Sequence, residues 1–392
     1  RLVGAEMCIR DRNKVVIFYG SNRAFMEILP KSYRNLTDVV MELDKESKNM
    51  ILHIPELNGQ KSEPADKEDK KLQVDNFVIN SDEYCGVREH VIINFANFIA
   101  KMDITNMYIQ NPPTSISEQL HRIYDTSILQ VIQQKYNCID EAIIKKFNKE
   151  YGEKIIGQAK VKMEILQAIY PLINGKQKKP VTILFYGDSG LGKTETAQYL
   201  SELLSGKLFR KQFSMYQNNE FATYLFGGNY YEGSFAKDLL DRDSNVILLD
   251  EFDKSNPVFH SAFYQLFDEG IYEERNYKVN LDNAIIICTS NYKDDKEIKE
   301  NLGNAIYNRF DSIIRFDELS DESKEMIAKK DLEELETDYQ EVLNNMDEEI
   351  RRRLMNAVRG CSNAREIKRI IKDVLNLLAI RKMCEDEEIE EF

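Results

Sequence analysis

Eight residues, Gly187-Asp188-Ser189-Gly190-Leu191-Gly192-Lys193-Thr194, constrain this chain more than any other stretch. They satisfy the spacing G-x-x-x-x-G-K-[ST] and follow Val181–Tyr186 (VTILFY), an apolar, β-branched and aromatic run suited to a strand buried on both faces. Glycines let backbone N–H groups turn inward around phosphate oxygens. Lys193 is then placed to reach the β- and γ-phosphates of ATP, and the Thr194 hydroxyl to hold Mg2+. Ala197, Leu200, Leu203 and Leu204 recur at helical spacing, so a helix follows whose N-terminal dipole favours an anion. A glycine-rich turn matching by accident is the competing reading, and the strand before and helix after weigh against it.

At 392 residues the chain is expected to hold two or three domains, and its 42% apolar content is ample for ordinary cores. A net charge of −14 argues against broad attraction to nucleic acid or to an anionic membrane. No apolar stretch is long enough to span a bilayer, and no secretory signal is visible. Cys8, Cys85, Cys138, Cys288, Cys361 and Cys384 are scattered without a CxxC, and His53, His90, His121 and His260 have no metal-ligand spacing. Reduced thiols and a cytoplasmic location are the expectation.

Residues 1–12, RLVGAEMCIRDR, fit nothing that follows and read as a translated sequencing-adapter remnant, a natural disordered tail being the other reading. Lys14–Tyr19 reads as a strand, Tyr33–Leu43 as a weak helix, Asn49–Ile54 as a further strand, and Asn58–Lys71 as a solvated loop. Asn76–Ile79 and Asn106–Ile109 also have strand character, while Val87, Val91, Ile92, Phe95, Phe98, Ile99 and Met102 fall on one helical face. This alternation predicts a small α/β domain over residues 13–110, of unassigned role. Ser115–Tyr151 reads as a helical connector, placed at 111–152.

Beyond the glycine-rich loop, Val246-Ile247-Leu248-Leu249-Asp250-Glu251 is a second buried-strand pattern, ending in two carboxylates at the strand end where parallel sheets bind ligands. Asp250 is suited to magnesium, usually through water, and Glu251 to activating an attacking water. Ala284–Thr289 is a third apolar strand, and the Asn291 amide that follows is suited to orienting that water. Arg309 precedes the strand Ile313–Phe316; it reads either as a surface cation or as an arginine finger directed at a neighbouring subunit's nucleotide.

With these elements in order, residues 154–375 resemble the AAA+ superfamily, and within it the Clp ATPases, in the module of the second ring of ClpA and ClpB. The resemblance is carried by IIGQ, GDSGLGKTETA, VILLDEFDKSNPVFHSAFYQLFDEG, TSN at 289–291, YNRFDSIIRF at 307–316 and NAREIKR at 363–369. It implies Walker A roles for Lys193 and Thr194, Walker B for Asp250 and Glu251, sensor 1 for Asn291, a trans-acting finger for Arg309 and sensor 2 for Arg365. Ile155 and Ile156 match the segment that packs on adenine. The implied architecture is an α/β large subdomain with a parallel sheet at 153–316 and a small helical lid at 317–382, then an acidic tail at 383–392. Glu325–Leu335, Asp347–Val358 and Ala364–Ile380 supply amphipathic helices for the lid.

Two departures bear on function. The family's pore loop, GYVG, is replaced by the shortened Phe226–Phe235, where Tyr230 or Tyr231 is suited to gripping polypeptide between Gly228 and Gly233. The stretch between Asn291 and Arg309 lacks the Ile-Gly-Phe or Ile-Gly-Leu tripeptide that docks ClpP, so a peptidase partner is not expected. The leading expectation is an ATP-hydrolysing polypeptide remodeller acting as a homo-oligomeric, hexameric ring. Salt-dependent DNA binding would instead favour a DNA-remodelling or clamp-loading machine. Slow turnover indifferent to unfolded protein would favour a nucleotide-gated scaffold.

Overall fold

The computed structural model describes residues 14–51, 71–175, 177–215 and 220–384. The expectations for residues 1–12, for 58–70 of the solvated loop and for 385–392 of the tail lie outside them. In chain order the strands are β1 (Lys14–Tyr19), β2 (Arg34–Asn35), β3 (Leu72–Ile79), β4 (Met102–Gln110), β5 (Leu129–Gln133), β6 (Val181–Tyr186), β7 (Phe209–Gln212), β8 (Val246–Asp250), β9 (Ile271–Glu273), β10 (Lys278–Asn280), β11 (Ile285–Thr289) and β12 (Ser312–Arg315). The chain forms two compact units: Arg1–Tyr136 with Asn218–Asp243 and Ile271–Asn280, and Asn137–Gln217 with Ser244–Gly270 and Leu281–Phe392.

In unit 1 five parallel strands are ordered β2-β3-β4-β1-β5. Val15, Ile17, Phe77, Ile79, Ile104, Met107 and Ile109 build the core with the helix residues Ile116 and Leu120, all of them buried. Each such side chain contributes roughly 1.5–3 kcal/mol by leaving water.

Several boundaries differ from the sequence reading. Residues 49–51 end the helix Leu36–Ile51 instead of starting a strand, because the single β-branched Ile51 does not outweigh a helix already propagating; residues 52–54 of that expected strand lie outside the described residues. The face from Val87 to Met102 breaks into Glu89–Ile93 and Phe95–Ile99, with Met102 opening β4. The supposed connector contains β5, which pairs with β1, so the unit runs on to Tyr136 and not to residue 110. The antiparallel pair β9–β10 and the helices Glu220–Phe226 and Phe235–Leu240 belong to the same unit.

In unit 2 the parallel sheet is ordered β12-β6-β11-β8-β7, with β6, β8 and β11 buried on both faces, as their unbroken apolar sequences require. The helix Ala159–Ile169 covers it through Val161, Ile165 and Ile169. The helices Asp321–Glu334, Gln340–Asn345, Glu348–Arg359 and Ala364–Cys384 form the expected lid around a small core of its own that includes Ala328, Leu354, Val358, Ile367, Ile371 and Leu375. Among the described residues no helix is long and apolar enough to cross a membrane.

Candidate nucleotide-binding site

The glycine-rich loop leaves β6 at Gly187 and enters the helix Lys193–Leu203. Gly187, Gly190 and Gly192 all have positive φ (125°, 77° and 100°), which bulkier residues avoid. A Cβ on Gly187 would lie 2.5 Å from the Phe316 carbonyl oxygen, so glycine is required there on contact as well as on torsion. These turns leave a concave cradle of backbone lined up with a helix N-terminus, the geometry that accepts phosphate.

Lys193 is buried at the start of that helix. Its Nζ donates to the carbonyls of Gly187 and Asp188, the latter at 2.8 Å, and to Asn291 Oδ1 at 3.3 Å. Burial lowers its pKa to about 8, opposed by the negative charges of Asp253, Asp188 and Asp250. Thr194 follows, half-exposed in the first helical turn. The lysine and the amide predicted from separate motifs are thus brought into direct contact.

At the end of β8, Asp250 is buried; Oδ1 accepts from the Thr289 hydroxyl at 2.5 Å and Oδ2 from Arg210 Nε at 3.0 Å. Glu251 adopts φ 55°, and its N–H donates to the same Thr289 Oγ1 at 2.9 Å, which turns the carboxylate away from the strand line. Hydrogen bonds from Ser214 and then Gln212 hold its pKa below the ordinary carboxylate value; the Gln212 contact measures 3.0 Å. Glu251 is therefore kept ionised, as a proton acceptor must be.

A cavity of about 230 Å3 adjoins the loop. Ile155, Ile156, Gly190, Leu191 and Gly192 line it from one side, and Ala364, Arg365 and Lys368 of the lid from another. Arg365 Nη1 donates to Ser189 Oγ at 3.2 Å, and the Ala364 N–H to the Gly190 carbonyl at 3.2 Å. The lid helix thus starts on the loop itself. An apolar wall opposite a cationic helix start suits a base and phosphates.

Arg309 stands apart from this group. Its Nε donates to Asp268 at 2.9 Å, Nη1 to the Ala305 carbonyl at 2.6 Å, and the guanidinium lies 4.2 Å from the Tyr264 ring centroid. Tyr230 and Tyr231 lie in unit 1. Tyr231 is 65% exposed, whereas Tyr230 packs against the N-terminal core with its hydroxyl 3.3 Å from Ser115 Oγ. Of the two candidate gripping residues, Tyr231 is thus the exposed one and Tyr230 the packed one.

Sequence reasoning passed over several participants. Gln158 is buried and donates to the carbonyls of Leu191 (3.3 Å) and Asp317 (2.8 Å), tying loop to lid; its place in IIGQ was the available signal. Arg210 and Gln212 sit on β7, whose sequence FRKQ has no apolar pattern to announce a strand. Asp253 has a side chain only 3% exposed and an Oδ1 with no hydrogen-bond partner. Thr194, Asp250 and Asp253 offer oxygen donors of the kind magnesium accepts, and the glycine cradle fits a phosphate chain.

A parallel sheet, a glycine cradle with a buried lysine, strand-end acids and a helical lid define a P-loop nucleotide-binding module. Residues 178–360 match the family model of the AAA domain (Cdc48 subfamily). The chaperone protein ClpB of Malacoplasma penetrans (strain HF-2) is 31% identical over 185 residues, covering 42% of this chain and 26% of that protein. The mitochondrial disaggregase of Homo sapiens is 32% identical over 157 residues, covering 37% and 22%. The chain thus spans about a quarter of the length of these curated relatives. A closed-state reconstruction of Hsp104 with ATPγS and FITC-casein shares the fold, with a TM-score of 0.53 at 15% identity over 97% of this chain and 91% of that one.

Proposed function

We propose that the chain hydrolyses ATP to remodel polypeptides, as a ring of identical subunits, hexameric and cytoplasmic, without ClpP. The observation that carries this reading is the contact of Lys193 with Asn291 in the field of Asp250, the strand-end acid that Glu251 follows in the chain. The relatives include a chaperone and a disaggregase, and the Hsp104 reconstruction holds ATPγS and casein.

In this reading Lys193 exchanges its carbonyl partners for phosphate oxygens, Ile155 and Ile156 receive the base, and Arg365 reports the phosphates to the lid. Thr194 and Asp250 would hold magnesium, which supplies charge neutralisation on the phosphates. Asn291 orients a water, Glu251 takes its proton, and Arg309 acts on the nucleotide of the adjoining subunit. Tyr231 contacts the client. The absence of a ClpP-docking tripeptide between Asn291 and Arg309 supports independence from the peptidase.

Glu251→Gln tests the site directly. Turnover is expected to fall by roughly 10²–10⁴, the usual contribution of a general base, with ATP retained. Turnover at the parent rate would remove Glu251 from the mechanism. Stimulation of the parent's hydrolysis by unfolded protein, and unfolding of a tagged client without added ClpP, test the coupling.

A further inference from the structure

The sheet of unit 1 repeats that of unit 2. In both, the first strand lies between the fourth and the fifth, and the third and second follow outward. The main-chain links at the ends of the first strands correspond one by one. Asn111 N–H donates to the Phe18 carbonyl and Ser290 N–H to that of Phe185, at 2.8 and 2.9 Å. Gln134 N–H donates to Tyr19 and Phe316 N–H to Tyr186, both at 2.8 Å. Gly20 therefore occupies the place of Gly187, and a Cβ on it would meet Gln134 at 2.5 Å as one on Gly187 would meet Phe316.

The same register identifies what replaced the chemistry. Ile17 pairs with Ile109 and Ile109 with Ile79, while Leu184 pairs with Cys288 and Cys288 with Leu249. Asn80 and Ser81 then stand where Asp250 and Glu251 stand. Between β1 and the helix Asn22–Met26 only Gly20 and Ser21 remain, and no lysine opens the helix.

Moreover, the turn's donors are taken from within. Gly20 N–H donates to Asn111 Oδ1 at 2.9 Å, Ser21 N–H to Gln134 Oε1 at 2.6 Å, and Asn22 N–H to Asp241 Oδ1 at 2.6 Å. The Gly20 carbonyl accepts from Gln110 Nε2 at 3.0 Å and Asn111 Nδ2 at 2.8 Å. Ser21, Gln110 and Asn111 are buried. A phosphate would have to break these bonds and face the Asp241 carboxylate.

We propose that unit 1 is a second, nucleotide-silent copy of the phosphate-loop fold, closed at its turn by Asn111, Gln134 and Asp241, so that each chain takes up one nucleotide. The count rests on the nucleotide reading of unit 2. The test is an equilibrium titration of the full chain with a fluorescent, non-hydrolysed ATP analogue and magnesium, joined to hydrogen exchange. One equivalent is expected for the parent and none for Lys193→Ala. Two equivalents, or binding that survives Lys193→Ala, would overturn the proposal. The analogue should slow exchange across residues 187–194 and leave the amides of residues 20–22 unchanged; slowing at 20–22 would also overturn it. Gln134→Ala should speed exchange at Ser21 without altering the stoichiometry, and an unchanged rate would show that the turn is not held as described. One nucleotide bound without turnover would count against the proposed machine while supporting this inference.

Discussion

Arg210 reaches across from β7 to place Nε 3.0 Å from Oδ2 of Asp250, the buried acid at the end of β8. A guanidinium and a metal ion seek the same oxygen, so under the proposed magnesium role of Asp250 the arginine would compete with the ion while it keeps a buried carboxylate paired. Its side chain is 44% exposed, which screens the pair. Arg210→Ala should therefore cost only about 1–2 kcal/mol of unfolding free energy. In turnover assays it should lower the half-saturating magnesium concentration by roughly two- to tenfold, the equivalent of about 0.4–1.4 kcal/mol less competition. An unchanged magnesium dependence would mean that Arg210 does not compete with the ion for Asp250 in the working site.

Lys193 gives the site a pH signature. Burial sets its pKa at about 8 in the free protein. Anionic phosphates favour the protonated form, so affinity should be level below pH 8 and fall by up to about tenfold per unit above it. Stability moves the other way. Between pH 8 and the ordinary lysine value the unfolded chain binds more protons, so the free protein gains stability as pH rises. Titrations with a fluorescent analogue from pH 7.5 to 9.5 check the first expectation. Lys193→Arg should flatten the profile, because a guanidinium stays charged throughout. A parent profile without decline would contradict the lysine's assigned contact.

Arg309 is held by Asp268 and the Tyr264 ring, away from the lysine and the strand-end acids. In the proposed ring it works on a neighbour's nucleotide, where such fingers contribute about 10³–10⁵ in rate. Arg309→Ala and Glu251→Gln rings should each be nearly inactive, and verified mixed rings should recover part of the activity. In those rings some interfaces pair an intact base with an intact arginine. Mixed rings as inactive as either single variant would count against action in trans.

Local chemistry was legible in the sequence; long-range partnership was not. The glycines, Lys193, Asp250, Glu251 and Asn291 sit at strand ends whose apolar runs declare buried parallel strands, and β6, β8 and β11 form as read. The lid helices declared themselves through amphipathic spacing. By contrast β7 is short and polar, so neither Arg210 nor Gln212 could be placed. β5 was hidden because LQVIQ carries two exposed glutamines and follows a true helix, Thr114–Ile123. The likeness of the two sheets was invisible because unit 1 keeps the strand pairing but not the residues that make the motif recognisable.

Tyr230 and Tyr231 are neighbours with opposite surroundings, and this separates their roles. The turn that carries them is braced: Asn229 N–H donates to Glu232 Oε2 at 3.0 Å, and Lys237 Nζ to the Tyr230 carbonyl at 2.7 Å. Tyr230 turns inward against the unit 1 core and sets its hydroxyl near Ser115, so Tyr230→Ala removes packing as well as a hydrogen bond. It should destabilise unit 1 by about 1–3 kcal/mol, seen as a lower denaturant midpoint. Tyr230→Phe should lose only about 1 kcal/mol, since the ring remains. Tyr231 faces solvent, and its broad apolar ring suits contact with varied side chains. Tyr231→Ala should leave the denaturation midpoint and client-free ATP hydrolysis within twofold of the parent, roughly the scatter of surface substitutions. Remodelling of a tagged client should collapse in the same variant. Full remodelling by Tyr231→Ala, together with loss of remodelling in a stably folded Tyr230→Phe, would reverse the assignment and show that the inward tyrosine swings out to meet the client.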